Sequence, residues 1–240
     1  MTAAERTQQG RTGTLIRDDI DGLRAISILA VVAYHAGLPI LGGGFVGVDV
    51  FFVISGYLIT AHLVKEWRSA GRIDLTAFWA RRVRRLLPAL FVVLLTVLAL
   101  APFVLARASG EVGALSRAAL SAVVLNANHF FLLQAGDYFG PVAETNPLLH
   151  LWSLSVEEQF YLVWPLALVL LLPRVRSLAG PIAMLALLSL CFALVITPRM
   201  PAAAFFTMPP RAWELLAGAL LAVIPLSWPG FKRLRPALLV

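Results

Sequence analysis

Arg24 and His35 stand eleven residues apart in the apolar run that follows Asp21. On an α-helix that separation returns nearly to the starting azimuth and covers about 16 Å of axis. A cation and a titratable imidazole then share one stripe, with Ile28 and Val31 between them. Ionisable groups in hydrocarbon are costly and mark working sites by default. In such a setting His35 has two chemical uses: general base toward a hydroxyl, or short-lived covalent carrier. The plain alternative has Arg24 snorkelling to one interface while His35 caps the other end.

Three further groups carry chemistry. Asp49 follows His35 after a short turn rich in glycine, Gly42-Gly43-Gly44 and Gly47. It is placed to accept the ring proton and set the His35 tautomer, or simply to favour a helix N-terminus. Gly43 and Gly47 have the small-xxx-small spacing of closely packed membrane helices. Arg81, Arg82, Arg84 and Arg85 crowd the entrance of a third apolar run. Guanidinium forks grip phosphate oxygens in pairs, and Arg81 with Arg84, or Arg82 with Arg85, share a helix face. Topology control and lipid-phosphate contact are the simpler uses of such a run. Finally His150, Ser153, Glu157 and Tyr161 fall on one side of a helix beginning HLWSLSVEEQFY, with Trp152 beside them and Trp164 a turn on. This stripe reads as substrate binding or as the wall of a polar cavity; the alternative is Ser155 as an N-cap with Glu157 and Glu158 in its first turn. Arg211 and Glu214 pair at i, i+3. His62 and His129 lack ligand-spaced partners, and no zinc spacing, phosphate loop or nucleophile elbow occurs, so no metal is expected.

These residues need elements to hold them, and composition says which. The chain is 60% hydrophobic and 14% charged, with mean hydropathy +0.84. That excludes a water-soluble domain, and the lack of short alternating segments excludes a barrel. Runs near the roughly 20-residue spanning length recur at 22–39, 45–64, 86–106, 114–134, 150–172, 180–197 and 211–227. The expected fold is therefore all-α, a polytopic transmembrane bundle of seven segments, with 1–19 as a polar arm and 20–240 as the membrane domain. The net charge of +7 sits between apolar runs, the positive-inside pattern, rather than in a nucleic-acid patch. Segment 65–85 holds Lys65 and six arginines against Glu66 and Asp74. It marks the cytoplasmic side and, two spans earlier, puts the N-terminus there too.

Beyond 106 the charge rule and the span count disagree: three crossings would put Arg174 and Arg176 outside and the Lys/Arg-free loop 135–149 inside. Making 114–134 re-entrant, with Arg117, Asn126, Asn128 and His129 lining a cavity, repairs the count; both topologies stand. Cys191 is the single cysteine, so no internal disulfide forms. After Trp228-Pro229-Gly230 a further helix opens at Pro236 and stops at Val240, as in a fragment of something longer.

Taken together, five blocks resemble the acyltransferase type 3 family of bacterial membrane O-acyltransferases: IDGLRAISILAVVAYHA at 20–36, GGGFVGVDVFFVISGYLIT at 42–60, FWARRVRRLLPAL at 78–90, NPLLHLWSLSVEEQFYLVWPL at 146–166 and RAWELLAGALLA at 211–222. The resemblance implies a bundle of about ten membrane helices of spanning length, of which this chain supplies the first seven. It implies transfer of an acyl group, typically acetyl from acetyl-coenzyme A, to a hydroxyl of an extracytoplasmic glycan or similar acceptor. The family's Arg-to-His motif falls on Arg24 and His35, and its Arg-x-x-Arg motif on Arg81 and Arg84, with the register Arg82 and Arg85 also open. The expected site then has His35, Arg24, Asp49 and Glu157 at the chemistry. The arginines Arg81, Arg82, Arg84 and Arg85 hold the donor's phosphates, and His150, Trp152, Ser153 and Tyr161 meet the substrate. The expected surroundings are the bilayer of the inner (plasma) membrane and an envelope glycan, with no nucleic acid. Acceptor, acyl chain and oligomeric state stay open.

Rival classes predict other things. A transporter would use the same His, Arg and Glu as a relay but would show internal repeats, and none is visible. A subunit that loads an acyl group for a separate transferase would carry acyl-enzyme without modifying an acceptor. A scaffold would tolerate loss of His35 and Glu157.

Overall fold

A computed structural model describes residues 18–38, 42–104, 109–134 and 146–224. Most of the expected polar arm, the tip of the first turn, most of loop 135–149 and the segment from 225 to Val240 lie outside the described residues. All regular elements among the described residues are helical. The chain divides between Phe51 and Phe52 into two units.

The first unit contains α1, Asp18–His35, and a 3-10 turn, Gly44–Val46, that leads into α2, Gly47–Ala70. Asp18, Asp19 and Asp21 occupy the first turn of α1, where carboxylates complement the helix dipole, and His35 closes the last. The glycines before α2 are there for contact. A Cβ on Gly44 would sit 2.2 Å from the Ala30 carbonyl oxygen, and one on Gly47 would sit 2.5 Å from that of Ser27. Gly43 has nothing within 4 Å, so the close-packing pair is Gly44 and Gly47 rather than Gly43 and Gly47. The eclipsed spacing of a 3-10 turn, not a regular helix, governs this stretch.

The second unit holds the rest of α2, then α3 (Leu75–Val104), α4 (Ser109–Val123), α5 (Ala127–Gln134), α6 (Leu151–Leu171), α7 (Ala179–Ile196), α8 (Pro201–Phe206) and α9 (Met208–Val223). α6 is the hub: Trp152, Ser155, Val156, Glu158, Phe160, Tyr161, Trp164, Pro165 and Leu168 are all buried along it. α2 and α9 cross backbone to backbone, because Gly56 lies against Leu215 and Gly218 against Val53. α7 and α9 are tied by Ser189, whose hydroxyl donates to the Pro209 carbonyl at 2.6 Å and accepts the Trp213 N–H at 2.9 Å. One side chain thus serves both members of an i, i−4 backbone pair in the first turn of α9.

Among the described residues four helices are long and apolar enough to cross a membrane: Gly44–Ala70, Leu75–Phe103, Leu151–Leu171 and Ala179–Ile196. The other three expected spans differ for identifiable reasons. α1 carries Asp18, Asp19, Asp21 and Arg24 within its 18 residues. α9 has 16 residues and ends at Val223, where Ile224 turns extended (ψ 128°), short of the expected 227; 225–227 lie outside the described residues. The run 114–134 is not one helix: α4 ends at Val123, Leu125 takes a left-handed backbone (φ 57°), and α5 restarts at Ala127.

That break is sealed by α6. The Ala127 N–H donates to Ser155 Oγ at 3.2 Å, so Ser155 caps α5 and not its own helix, which begins a turn earlier at Leu151. Gln159 Nε2 donates to the Leu125 carbonyl at 3.0 Å and to Asn128 Oδ1 at 2.9 Å. Asn128, fully buried, donates to the Phe206 carbonyl at 3.0 Å where α8 gives way to extended backbone. Two amides therefore cover the carbonyls that two helix interruptions expose.

Candidate active site

In the first unit α1 presents both members of the Arg-to-His pair. Arg24 reaches Asp21 one turn back, at 3.5 Å. His35 Nδ1 lies 2.8 Å from the Val31 carbonyl oxygen. A carbonyl only accepts, so Nδ1 carries a proton, and whenever the ring is neutral its lone pair is on Nε2. That is the tautomer a general base needs, and it comes from the ring's own helix rather than requiring a carboxylate at Nδ1. Tyr34 stands edge-on to the ring at 5.1 Å. Asp49 lies in the first turn of α2, half-buried.

In the second unit the polar residues of α6 meet α2 and α3. Pro165 lacks an N–H, so the Tyr161 carbonyl one turn back loses its helical donor. Trp79 of α3 replaces it, its indole N–H donating at 3.1 Å. One turn further along α3, Arg82 turns to Glu158, with Nη2 at 2.7 Å and Nε at 3.3 Å from Oε1. The same guanidinium lies over the Tyr161 ring, 3.6 Å from its centroid, where the ring quadrupole attracts it. The Tyr161 hydroxyl donates to Glu157 Oε1 at 2.7 Å, and Ser55 Oγ of α2 donates to the same oxygen. Trp164 Nε1 donates to Thr60 Oγ1 at 2.8 Å, a second buried tie between α6 and α2. Two hydrogen-bonded sets, Ser55–Glu157–Tyr161 and Arg82–Glu158, are thus joined through the guanidinium lying on the Tyr161 ring.

Other expected site residues are distributed differently. Arg81 is exposed and lies 4.0 Å from Glu66 Oε2; Arg84 donates Nε to the Ala80 carbonyl at 3.1 Å; Arg85 is exposed. Of the four arginines expected to act together, Arg82 alone is turned into the helix group. Trp152, expected at the substrate, is buried among Phe52, Phe205 and Phe206 with ring centroids 6.3, 4.4 and 5.7 Å away. Aromatic packing claims it, with the Arg211 guanidinium 5.6 Å from its ring. Arg211 does pair with Glu214, at 3.1 Å. Ser153 donates to the His150 carbonyl at 3.1 Å, and His150 is exposed just ahead of α6. His62 is not solitary, having Glu66 Oε2 at 3.9 Å. Ser55, Thr60 and Trp79 escaped the sequence reading. Pro165 was the available clue for Trp79, since a proline inside a helix announces a carbonyl in need of a donor.

Outside the spans, Asp74 caps α3. Its Oδ1 accepts the Ala77 N–H at 2.9 Å and the Thr76 hydroxyl at 2.7 Å. Those bonds, the backbone one foremost, hold its carboxyl below the usual carboxylate range. Among the described residues no three His, Cys, Asp or Glu side chains are grouped to hold a metal ion.

Long apolar helices with a carboxylate–arginine group between them are the architecture of a helical membrane protein. The acyltransferase domain family matches residues 17–240, and the chain belongs to that family. It is 38% identical over 226 residues to the peptidoglycan O-acetyltransferase OatA of Listeria monocytogenes, covering 90% of this chain and 35% of that protein. It is 39% identical over 216 residues to the O-acetyltransferase OatA of Staphylococcus aureus strain NCTC 8325, covering 88% of this chain and 35% of the relative. The chain thus spans about a third of the length of these curated relatives. No solved structure matches it.

Proposed function

We propose that the chain is an integral-membrane O-acyltransferase that moves an acyl group, acetyl by preference, from acyl-coenzyme A to a hydroxyl of an envelope glycan. The observation that carries this reading is membership of the acyltransferase domain family across residues 17–240. Relatives named for O-acetylation, one of them for peptidoglycan, point to the acyl group and the acceptor class.

His35 Nε2 takes the proton of the acceptor hydroxyl as its oxygen attacks the thioester carbonyl; the C–S bond breaks and the thiolate leaves with that proton. In the covalent variant the same nitrogen attacks the thioester and the C–S bond breaks to free the thiolate; the acyl group then passes from the ring to the acceptor hydroxyl, whose proton ends on the thiolate. The exposed guanidiniums of Arg81, Arg84 and Arg85 suit the donor's phosphates, with forks that match phosphate oxygens. Arg24, on the same face of α1 as His35 and about 16 Å along its axis, adds a further guanidinium for the donor's phosphates. Asp49 and Glu157 supply carboxylates for orientation and charge balance. The protein lies in the inner membrane with its N-terminus and the arginine-rich 65–85 segment on the cytoplasmic side, facing the donor pool. The seven-segment count, with α1, the broken 114–134 run and α9 also in the membrane, belongs to the same proposal.

Mass spectrometry of envelope glycans from wild-type and deletion cells tests it. Loss of an acyl modification on deletion, restored by the gene, is the expected result. Identical acylation profiles would refute the reading.

A further inference from the structure

We propose that Arg82 is a positioning residue and not one of the donor-phosphate arginines. Its guanidinium is clamped between Glu158 and the Tyr161 ring, and through the Tyr161 hydroxyl it fixes the carboxylate of Glu157. This deepens the acyltransferase reading and rests on it.

Four observations support the clamp. First, Arg82 places two of its donors on one oxygen of Glu158, a residue 8% exposed. A phosphate could recruit those donors only by stripping a buried carboxylate of its cation, which is strongly unfavourable. Second, the flat face of the guanidinium is spent on Tyr161, at 3.6 Å from the ring centroid. Third, Tyr161 is held at both ends: Trp79 takes its carbonyl and Glu157 takes its hydroxyl proton. Fourth, Ser55 and Tyr161 donate to the same oxygen of Glu157, so the carboxylate is fixed in position by donors from two helices. Arg81, Arg84 and Arg85 share none of these ties and are exposed. The run of four arginines therefore divides into one inward brace and three outward guanidiniums.

The test uses the whole chain in native membranes and measures acetyl-coenzyme A binding separately from turnover onto the acceptor. Arg82→Lys keeps the charge but loses the planar fork and the stacking. Turnover is expected to fall about 10–100-fold, the cost of a misplaced reacting group, while the donor Kd stays within about twofold, well inside one lost charged contact. Arg81→Gln with Arg84→Gln should instead raise the donor Kd about tenfold or more, as lost charge-assisted bonds do. If Arg82→Lys does not reach the membrane, Glu158→Gln must show the same split. Weakened donor binding on Arg82→Lys, or undiminished turnover, overturns the clamp. A parent chain that binds no acetyl-coenzyme A overturns the acyltransferase reading instead. The clamp is then decided by fluorine NMR with fluorotyrosine at position 161: Arg82→Lys must shift or split that resonance, and an unmoved signal refutes it.

Discussion

The α2–α9 crossing is a severe steric constraint on this chain, and Gly218→Ala tests it directly. A Cβ at 218 would stand 1.8 Å from the Val53 carbonyl oxygen and 2.7 Å from the Tyr57 nitrogen, whereas ordinary contact begins at 3.4 Å. The obstacle is backbone, so no rotamer change relieves it, and the helices must part by about an ångström and a half to restore normal van der Waals distance. Overpacking of that kind costs about 1–3 kcal/mol, from which the gain of replacing a helical glycine, about 0.5–1 kcal/mol, is subtracted. The net loss, about 1.25 kcal/mol at mid-range within about 0–2.5 kcal/mol, should lower the melting temperature by about 3–5 °C for a chain of this size. Tryptophan fluorescence during heating in one fixed detergent reads it, with Gly180→Ala as the control. Gly180 is also helical but has nothing within 4 Å. Gly56→Ala should behave like Gly218→Ala, since its Cβ would meet the Leu215 carbonyl oxygen at 1.8 Å. It should also loosen the contact between neighbouring Ser55 and Glu157. A Gly218→Ala chain that melts with the Gly180→Ala control would refute this account of the crossing.

Other expectations are shorter to state. Trp79→Phe replaces the indole by a smaller phenyl ring and leaves the Tyr161 carbonyl without its donor, and should cost at least about 1 kcal/mol, the part typical of hydrogen bonds between membrane helices; an unchanged melt would count against it. Asp74 has a folded-state pKa below its unfolded value, so its contribution is present above the unfolded pKa and fades as pH falls through the folded one. The first turn of α3 should therefore exchange amide hydrogens faster below about pH 4, and Asp74→Asn should abolish that acid dependence; equal dependence in both chains would sink the idea. His35→Ala should abolish acyl transfer while the chain still inserts at normal abundance, and retained transfer would remove His35 from the chemistry.

The helices with long uniform apolar runs were legible from residue type alone: α6 and α7 fall within a residue of the expected limits, whereas α2 runs on to Ala70 and α3 already starts at Leu75, so that the polar segment 65–85 is helical except at 71–74. The broken run at 114–134 was not, because left-handed backbone at Leu125 has no glycine or asparagine at that residue to announce it. Along α6, helical spacing brought out Glu157 and Tyr161 as neighbours, and they are hydrogen-bonded. Their partners were hidden, because periodicity reports one helix at a time. Ser55 is 102 residues from Glu157, and Arg82 is 76 from Glu158. For the same reason spacing alone offered two equal registers within Arg81–Arg85, and only the position of α6 separates Arg82 from the rest. Ser155 illustrates the opposite error: a residue suited to capping does cap a helix, but one 28 residues away.

The seals at the two helix interruptions, Asn128 and Gln159, are both carboxamides. Neither gains or loses a proton at any physiological pH, and neither bears net charge. A change of pH across the physiological range therefore leaves both seals with the same donors and acceptors.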